Sequence, residues 1–107
     1  MSTDRLRKLN DDFRTTFRGG RVMMTASVDQ LPDCVKAEAL TKVATFDGFT
    51  EDNDPHGEHD FGSFELVGRK FFWKIDYYDL ECQSGSEDPA DAAKTTRVLT
   101  IMLAEDY

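Results

Sequence analysis

Two histidines and four carboxylates lie close together near the middle of the chain, a density that could support metal chemistry. They are Asp52, Asp54, His56, Glu58, His59 and Asp60. Imidazole and carboxylate ligands together suit zinc or iron, so His56 and His59 with Asp54 form a candidate site for one divalent transition metal. The segment also begins like a calcium loop, but His56 stands at the fifth position of that loop, and Ser63 replaces the bidentate Glu of its twelfth position.

The same segment has a structural interpretation, which we favour over metal binding. Asn53 and Asp54 have short polar side chains that bond to nearby backbone groups in turns, and Gly57 permits a positive φ. Neither the His-Glu-x-x-His motif of zinc proteases nor a Cys-x-x-Cys pair occurs in the chain. The expectation is therefore a protein without a cofactor, with one transition metal as the alternative.

Catalysis has little support in the sequence. His59 could act as a base, with Asp60, Asp76 or Asp79 as an acid or orienting group. However, the chain lacks a Gly-x-Ser-x-Gly nucleophile motif and the glycine motifs that bind phosphates and dinucleotides. We therefore predict no catalytic residue and favour a protein that is not an enzyme.

The chain is strongly acidic, and its charge is unevenly distributed. The net charge is −8; residues 1–42 carry eight Lys or Arg against six Asp or Glu, whereas residues 43–107 carry five against fifteen. Such an acidic half repels nucleic acid and anionic lipid and attracts basic protein surfaces. The predicted partner is a basic protein surface, such as that of a nucleic-acid enzyme, without direct nucleic-acid or membrane binding.

The residues expected to meet this partner are the carboxylates of two acidic segments, with carboxylates and one tyrosine beside them. They are Asp47, Glu51, Asp52, Asp54, Glu58, Asp60, Asp76, Tyr78, Asp79, Glu81, Glu87 and Asp88. Tyr78 is included because an aromatic ring among carboxylates can receive Arg and Lys side chains. The alternative for Tyr78 is a position at the rim of the core.

The composition predicts one soluble domain over residues 1–107, located in the cytoplasm. No apolar run approaches the ~18 residues that a membrane helix needs, and the first residues lack the apolar centre of a signal peptide. In that reducing compartment Cys34 and Cys82 are expected to be free thiols, with Cys34 a small buried side chain.

The first half of the chain has the pattern of two helices and one strand. A helix from about Ser2 to Gly19-Gly20 is indicated by apolar residues at helical spacing, namely Leu6, Leu9, Phe13 and Phe17. Residues 21–27 are predicted to form a strand. A single helical turn capped by Ser27 or Asp29 follows, and residues 33–45 form the second helix.

The second half has the pattern of three strands. Residues 60–67 and 70–78 form a hairpin around Gly68-Arg69, a pair that fits a type II′ turn, and residues 95–103 form the last strand after a loop over residues 79–94. The expected core positions are Phe71, Trp73, Ile75, Tyr77, Leu99, Ile101 and Leu103. The order α-β-α-β-β-β predicts an α+β fold with two helices packed on one face of a small antiparallel sheet.

Several blocks of the sequence resemble an uncharacterised bacterial family. They are LNDDFR (9–14), GGRVMMT (19–25), FDGFTEDNDPHGEHDFGSF (46–64), FWKIDYYD (72–79) and TRVLTIMLAEDY (96–107). In these blocks the chain is similar to domain-of-unknown-function family 3768, whose members are single-domain proteins frequent on alphaproteobacterial plasmids and other mobile elements. Asn53-Asp54-Pro55 and Asp76-Tyr77-Tyr78 are the most specific parts. The resemblance implies a bacterial cytoplasmic protein with no established activity.

Charge and resemblance together lead to one functional hypothesis and one alternative. Small acidic proteins of mobile elements include inhibitors of restriction and CRISPR nucleases, some of which present carboxylates in place of DNA phosphates. By this analogy we expect a non-catalytic interaction protein, in its narrower form an anti-CRISPR or anti-restriction inhibitor or DNA mimic directed at a host defence enzyme. The alternative is a small metal-binding protein or metalloenzyme that uses the loop from Asp52 to Asp60.

Overall fold

The fold is an α+β arrangement of three helices and one four-stranded sheet. The computed structural model describes residues 2–107. The helices are α1 (Ser2–Thr16), α2 (Ala26–Asp29) and α3 (Asp33–Thr45), and the strands are β1 (Gly20–Met24), β2 (Phe61–Leu66), β3 (Arg69–Tyr78) and β4 (Thr96–Leu103). Short 3₁₀ turns lie at Ala92–Lys94 and Ala104–Asp106. Both long helices and the four strands were predicted from their apolar spacing.

The sheet is mixed, so the predicted antiparallel sheet is wrong in one strand. Its order is β1-β4-β3-β2. β3 is antiparallel to both of its neighbours, but β1 lies parallel to β4, with Val22 opposite Leu99. The alternation of apolar and polar residues along a strand indicates which of its faces is buried, but it does not indicate whether the neighbouring strand runs parallel or antiparallel. The helices and the hairpin between β1 and β4 supply the long connection that a parallel pair requires.

The core lies between one face of the sheet and the long helices. Trp73, Phe71 and Leu99 from the two central strands are fully buried, and Phe13 of α1 and Val43 of α3 pack against them. These residues recur at every second position in β3 and β4, as the predicted core face requires. α1 and α3 therefore cover this face, as expected, while the opposite face of the sheet carries no long helix.

The hairpin turn differs from the predicted one by one residue. Leu66 is paired with Arg69, so the turn residues are Val67 and Gly68, with φ of 52° and 73°. Two successive positive φ angles define a type I′ turn rather than the predicted type II′. The register follows from the core, because pairing Phe64 with Phe71 stacks the two rings on the helix-covered face, where Phe71 is fully buried and Phe64 partly so, and leaves two residues for the turn.

The short helix α2 and the two cysteines agree with the sequence predictions only in part. The single helical turn before Pro32 is present as α2, but neither Ser27 nor Asp29 caps it; the N-cap is Thr25, without a side-chain cap bond. Both cysteines are free thiols, as predicted, whereas Cys34 is exposed rather than buried. Among residues 2–107, no helix has the length and apolarity to cross a membrane.

Candidate functional site

Two acidic loops lie at the same end of the sheet. Loop 1 (residues 46–60) leads into β2, and loop 2 (residues 79–95) joins β3 to β4. Loop 1 ends where the Asp60 carbonyl accepts the backbone N–H of Ile75, near the last residues of β3. Because loop 2 starts from the end of the same strand, the topology brings both loops together although about twenty residues separate them.

A buried polar network holds the two loops to the helix and to the sheet. The side-chain amide of Asn10, which is fully buried in α1, donates to the Glu58 carbonyl at 3.0 Å and to Tyr77 Oη at 2.8 Å. Tyr77 Oη in turn donates to Glu58 Oε1 at 3.1 Å. Asn10 Oδ1 accepts Arg97 Nε at 2.8 Å, so one amide connects loop 1, β3 and β4.

Arg97 extends this buried network to loop 2. Its guanidinium donates to the Pro89 carbonyl and lies 5.5 Å from the centre of the Tyr77 ring. Only 3% of Arg97 is exposed, and burial lowers its pKa while the neighbouring Tyr77 opposes that change. Burial also raises the pKa of Tyr77 far above its ordinary value, so its hydroxyl stays protonated and remains a donor to Glu58. The two loops are therefore positioned by the same four side chains.

Neither Asn10 nor Arg97 was predicted to have a role, yet both stand at sequence positions that signal burial. Asn10 follows Leu9 and precedes Phe13 by three residues, so it lies on the apolar side of α1. Arg97 lies two residues before Leu99 and four before Ile101 in β4, so its side chain is on the same, core-facing side of the strand. A polar residue at a core-facing position needs hydrogen-bond partners, so the positions of Asn10 and Arg97 in the sequence could have indicated a buried polar network.

Within loop 1, Asp54 serves the fold of the loop itself. Its side chain is only 6% exposed, and Oδ1 accepts the backbone N–H groups of Glu58 and His59. Asn53 similarly bonds to the backbone of Thr50. These are the turn-stabilising bonds expected from the structural interpretation of this segment. The structure thus removes Asp54 from the predicted partner surface, because its carboxylate points into the loop.

Glu58 and Asp60 are half-buried beside the network rather than on the outer surface of loop 1. Glu58 accepts the hydroxyl of Tyr77, as described above. Burial raises the pKa of Asp60, and the negative charges of Glu58 and Asp54 add to this effect. A raised carboxyl pKa means that the folded chain binds a proton at Asp60 more tightly than the unfolded chain does.

His59 is held between two carboxylates and an aromatic ring. Nδ1 lies 3.0 Å from Asp11 Oδ1, Nε2 lies 3.6 Å from Asp54 Oδ2, and the imidazole stacks on Phe49 with 3.7 Å between ring centres. His56 is exposed elsewhere on the loop. From Ser2 to Tyr107, no group of three or more His, Cys, Asp or Glu side chains is arranged to hold a metal ion. The geometry of His59 thus agrees with a structural role.

The exposed carboxylates of the two loops form the acidic surface. They are Asp47, Glu51 and Asp52 of loop 1 and Glu81, Glu87 and Asp88 of loop 2. Over the described part of the chain, Glu87 alone among them forms an ion pair, with Lys94 at 3.4 Å. Five of these six carboxylates therefore lack a basic partner among residues 2–107.

Three acids of loop 2, Asp79, Glu81 and Glu87, line a shallow depression of about 450 Å³ together with Lys94. Asp79 is half-buried, and its Oδ1 accepts the backbone N–H groups of Glu81 and Gln83, so this carboxylate holds the loop in shape. Leu80 is 62% exposed beside Glu81 and Glu87. The depression therefore combines negative charge with one exposed apolar side chain, a composition suited to a protein contact.

Basic residues of α1 are largely engaged within that helix. Arg7 pairs with Asp4 and also donates to the Gly57 carbonyl, and Lys8 pairs with Asp12. The Asp12 carboxylate raises the pKa of Lys8. The positive N-terminal segment thus does not neutralise the exposed acids of loops 1 and 2 by ion pairing.

Two residues predicted for the partner surface lie on a different face. Asp76 and Tyr78 belong to β3, but they occupy the alternate positions that point away from the helices. Asp76 pairs there with Lys74 at 3.1 Å. Sequence proximity grouped these residues with Asp79 and Glu81, whereas strand alternation assigns them to the helix-free face of the sheet.

Comparison with known proteins gives one match. Residues 24–106 match the model of a family described as protein of unknown function (DUF3768). The match includes both acidic loops and strands β2, β3 and β4, but only the last residue of β1 and nothing of α1, which supplies Asn10. No similar curated protein and no similar solved structure was found.

Proposed function

We propose that this chain, which belongs to the DUF3768 family, is a non-catalytic binding protein whose acidic surface receives a basic protein surface. One observation carries the proposal: loops 1 and 2 are tied together at one end of the sheet, and five of their six exposed carboxylates lack an ion-pair partner in residues 2–107. Unpaired carboxylates on two loops that share one buried network, in a chain with net charge −8, favour association with a positively charged surface.

Binding is preferred over catalysis because of what surrounds the one base that the sequence offered. Both ring nitrogens of His59 face carboxylates, and its ring is stacked on Phe49. The imidazole therefore holds loop 1 against α1 instead of facing a cleft. The buried network is likewise internal, since Asn10 is fully buried and Arg97 is nearly so. Its role in this proposal is to fix the relative positions of the two loops.

The narrower form of the proposal concerns the partner. A surface of carboxylates can occupy the phosphate-binding site of a nucleic-acid enzyme, since Arg forms bidentate hydrogen bonds with carboxylate and with phosphate, and Lys pairs with either as a point charge. We therefore propose an inhibitor or DNA mimic, encoded by a bacterial mobile element and acting in the cytoplasm on a host restriction or CRISPR nuclease. Its support is the unpaired charge of loops 1 and 2, taken with the analogy to acidic inhibitors of mobile elements.

Charge-matched variants test whether the acidic surface, rather than net charge alone, makes the contact. The loop 1 variant carries Asp47→Asn, Glu51→Gln and Asp52→Asn, and the loop 2 variant carries Glu81→Gln, Glu87→Gln and Asp88→Asn. The control removes three exposed carboxylates elsewhere, through Asp29→Asn, Asp33→Asn and Glu38→Gln. All three variants therefore change the net charge by the same amount.

The variants are immobilised and compared for proteins captured from an alphaproteobacterial host lysate, with quantitative mass spectrometry at ~0.05 M and ~0.5 M salt. We expect a partner that both loop variants lose, that the control variant keeps, and whose capture falls steeply with salt. Equal loss in all three variants would show that net charge suffices and would refute a defined surface. Capture that is unchanged at high salt would refute the electrostatic basis.

The inhibitor form has a separate assay. A host restriction or CRISPR nuclease is incubated with the chain before its DNA substrate is added, and the initial cleavage rate is measured. We expect inhibition that a higher concentration of the substrate DNA relieves by competition, because carboxylates and phosphates would share one basic site. Binding without inhibition would reject the DNA-mimic form and leave the interaction surface in place.

The metal alternative also has a direct test. Elemental analysis of the purified protein, with thermal unfolding in the presence and absence of a chelator, distinguishes it from the binding model. A metal on this loop would have to displace Asp11 or Asp54 from His59, which lies between them. About one equivalent of zinc or iron that is lost together with stability would favour the metalloprotein and redirect attention to His56 and His59.

A further inference from the structure

The helix-free face of the sheet contains a groove that the acidic surface does not use. Val98 and Met102 of β4 lie on this face with only 8% and 4% of their surface exposed. Met23 of β1 stands on one side and the C-terminal Tyr107 on another, around a volume of about 670 Å³. Concave sites of this size with mostly apolar walls and a few polar groups are typical of small-molecule sites.

The apolar part of the groove is continuous with an aromatic cluster. Tyr107 packs edge-on against Phe72 and Phe61, with ring centres 5.3 and 5.9 Å apart. Met23, which is 55% exposed, offers a polarisable thioether opposite Thr100. A flat aromatic body would find thioether and ring contacts on these walls.

Of the four charged side chains that line the groove, only Arg21 makes neither an ion pair nor a side-chain hydrogen bond with another described residue. Lys74 and Asp76 pair with each other at 3.1 Å. Asp106 accepts the hydroxyls of Thr25 and Ser27 together with the backbone N–H of Leu103, and these bonds lower its pKa. Arg21 is exposed beside Val98 and forms no ion pair or side-chain hydrogen bond with any residue from 2 to 107.

We propose that this groove binds a small organic anion with a flat apolar body, whose carboxylate or related anionic group is received by the guanidinium of Arg21. The planar guanidinium donates two parallel hydrogen bonds to such a group. The free guanidinium selects this occupant. Lys74 and Asp76 pair with each other and Asp106 Oδ2 already accepts three hydrogen bonds, so Arg21 is the charged group of the groove that is left to contact a ligand. Two copies of the chain, each with a net charge of −8, would repel one another at this face.

The test uses 2-naphthoate as the probe and 2-naphthalenemethanol as its uncharged analogue. Binding is measured by calorimetry and located by backbone amide shifts in two-dimensional NMR. Arg21→Gln removes the unpaired cation of the groove, while Arg18→Gln removes another exposed arginine three residues away as the matched control. Both positions are exposed, so both variants are expected to fold, and thermal unfolding verifies this.

We expect saturable 2-naphthoate binding with shifts centred on Val98, Thr100 and Met102. Arg21→Gln should weaken it roughly ten- to hundredfold, the effect of losing a charge-assisted pair, and Arg18→Gln should change it less than about twofold. The uncharged analogue should bind the wild type and Arg21→Gln equally. These results would hold whether or not the acidic surface binds its partner.

Several outcomes would overturn the inference. They are the absence of saturation at millimolar 2-naphthoate, shifts located away from β4, equal losses in the two arginine variants, and equal wild-type affinity for the charged and uncharged probes. Sedimentation is run on the same samples. A shift to dimers at the concentrations where the amide signals move would assign the groove to a second copy of the chain and would also refute the proposal.

Discussion

Replacing Asn10 with alanine should strongly destabilise the protein, because this one amide joins three parts of the fold. Asn10 is fully buried and makes three hydrogen bonds, to the Glu58 carbonyl, Tyr77 Oη and Arg97 Nε. The variant leaves Arg97 Nε without its acceptor, which by itself costs about 1.5–3 kcal/mol for a charged donor. The Tyr77 hydroxyl keeps its bond to Glu58, and water can reach the half-buried Glu58 carbonyl, so their losses are smaller.

With the small cavity left by the missing amide, the expected loss is about 3 kcal/mol of unfolding free energy. For a domain of this size that corresponds to a fall in Tm of roughly 12–24 °C. Urea unfolding followed by the fluorescence of Trp73, the single and fully buried tryptophan, measures the difference. Hydrogen exchange should also accelerate in residues 58–60 and 89–95, because the network that holds both loops is broken.

The matched control is Asn53→Ala. The side-chain amide of Asn53 donates to the Gly48 carbonyl at 3.0 Å and accepts the Thr50 N–H at 2.8 Å. These bonds lie in an exposed loop, where water can replace them in the variant. We expect a loss of less than about 1 kcal/mol. Equal losses for Asn10→Ala and Asn53→Ala, or a loss below about 1 kcal/mol for Asn10→Ala, would refute the argument that burial gives the network its importance.

Two further predictions concern the core and the pH dependence. Gly62→Ala should destabilise the protein by about 1–3 kcal/mol in thermal unfolding, because a Cβ at this position would lie 2.4 Å from Trp73 Nε1. In the control variant Gly68→Ala the new Cβ meets no neighbour within 4 Å, so the expected loss is about 1 kcal/mol and comes from the positive φ. A larger loss for Gly68→Ala than for Gly62→Ala would contradict this packing argument. Asp60→Asn should raise Tm at pH 7–8 and lose that advantage near pH 4. Burial and the charge of Glu58 raise the pKa of Asp60 in the folded protein above its value in the unfolded chain. The wild type therefore loses stability as the pH rises from the unfolded-state pKa through the folded-state pKa, and Asp60→Asn does not. A difference in Tm between the two proteins that is the same at every pH would show that the ionisation of Asp60 is not the cause.

The sequence was sufficient for the elements whose signal is local. The spacing of Phe13 and its neighbours identified α1, and the alternation through Trp73 and Leu99 identified the buried face of β3 and β4. Helical and strand periodicity are properties of one segment, so they can be read without knowing its neighbours. Net charge and its concentration in residues 43–107 are also properties of composition.

Tertiary structure decided which residues are neighbours and therefore what each polar group does. Nothing local indicates that β1 runs parallel to β4, or that Asn10 meets Arg97 across 87 positions of the chain. The same holds for the acids, which the sequence grouped by proximity. Folding turned Asp54 inward to bond backbone N–H groups and placed Asp76 on the helix-free face. It left five of the six outer carboxylates of loops 1 and 2 without an ion pair among residues 2–107. A carboxylate count gives the charge of a surface, but long-range contacts decide which charges remain available, because hydrogen bonding and burial depend on groups distant in sequence.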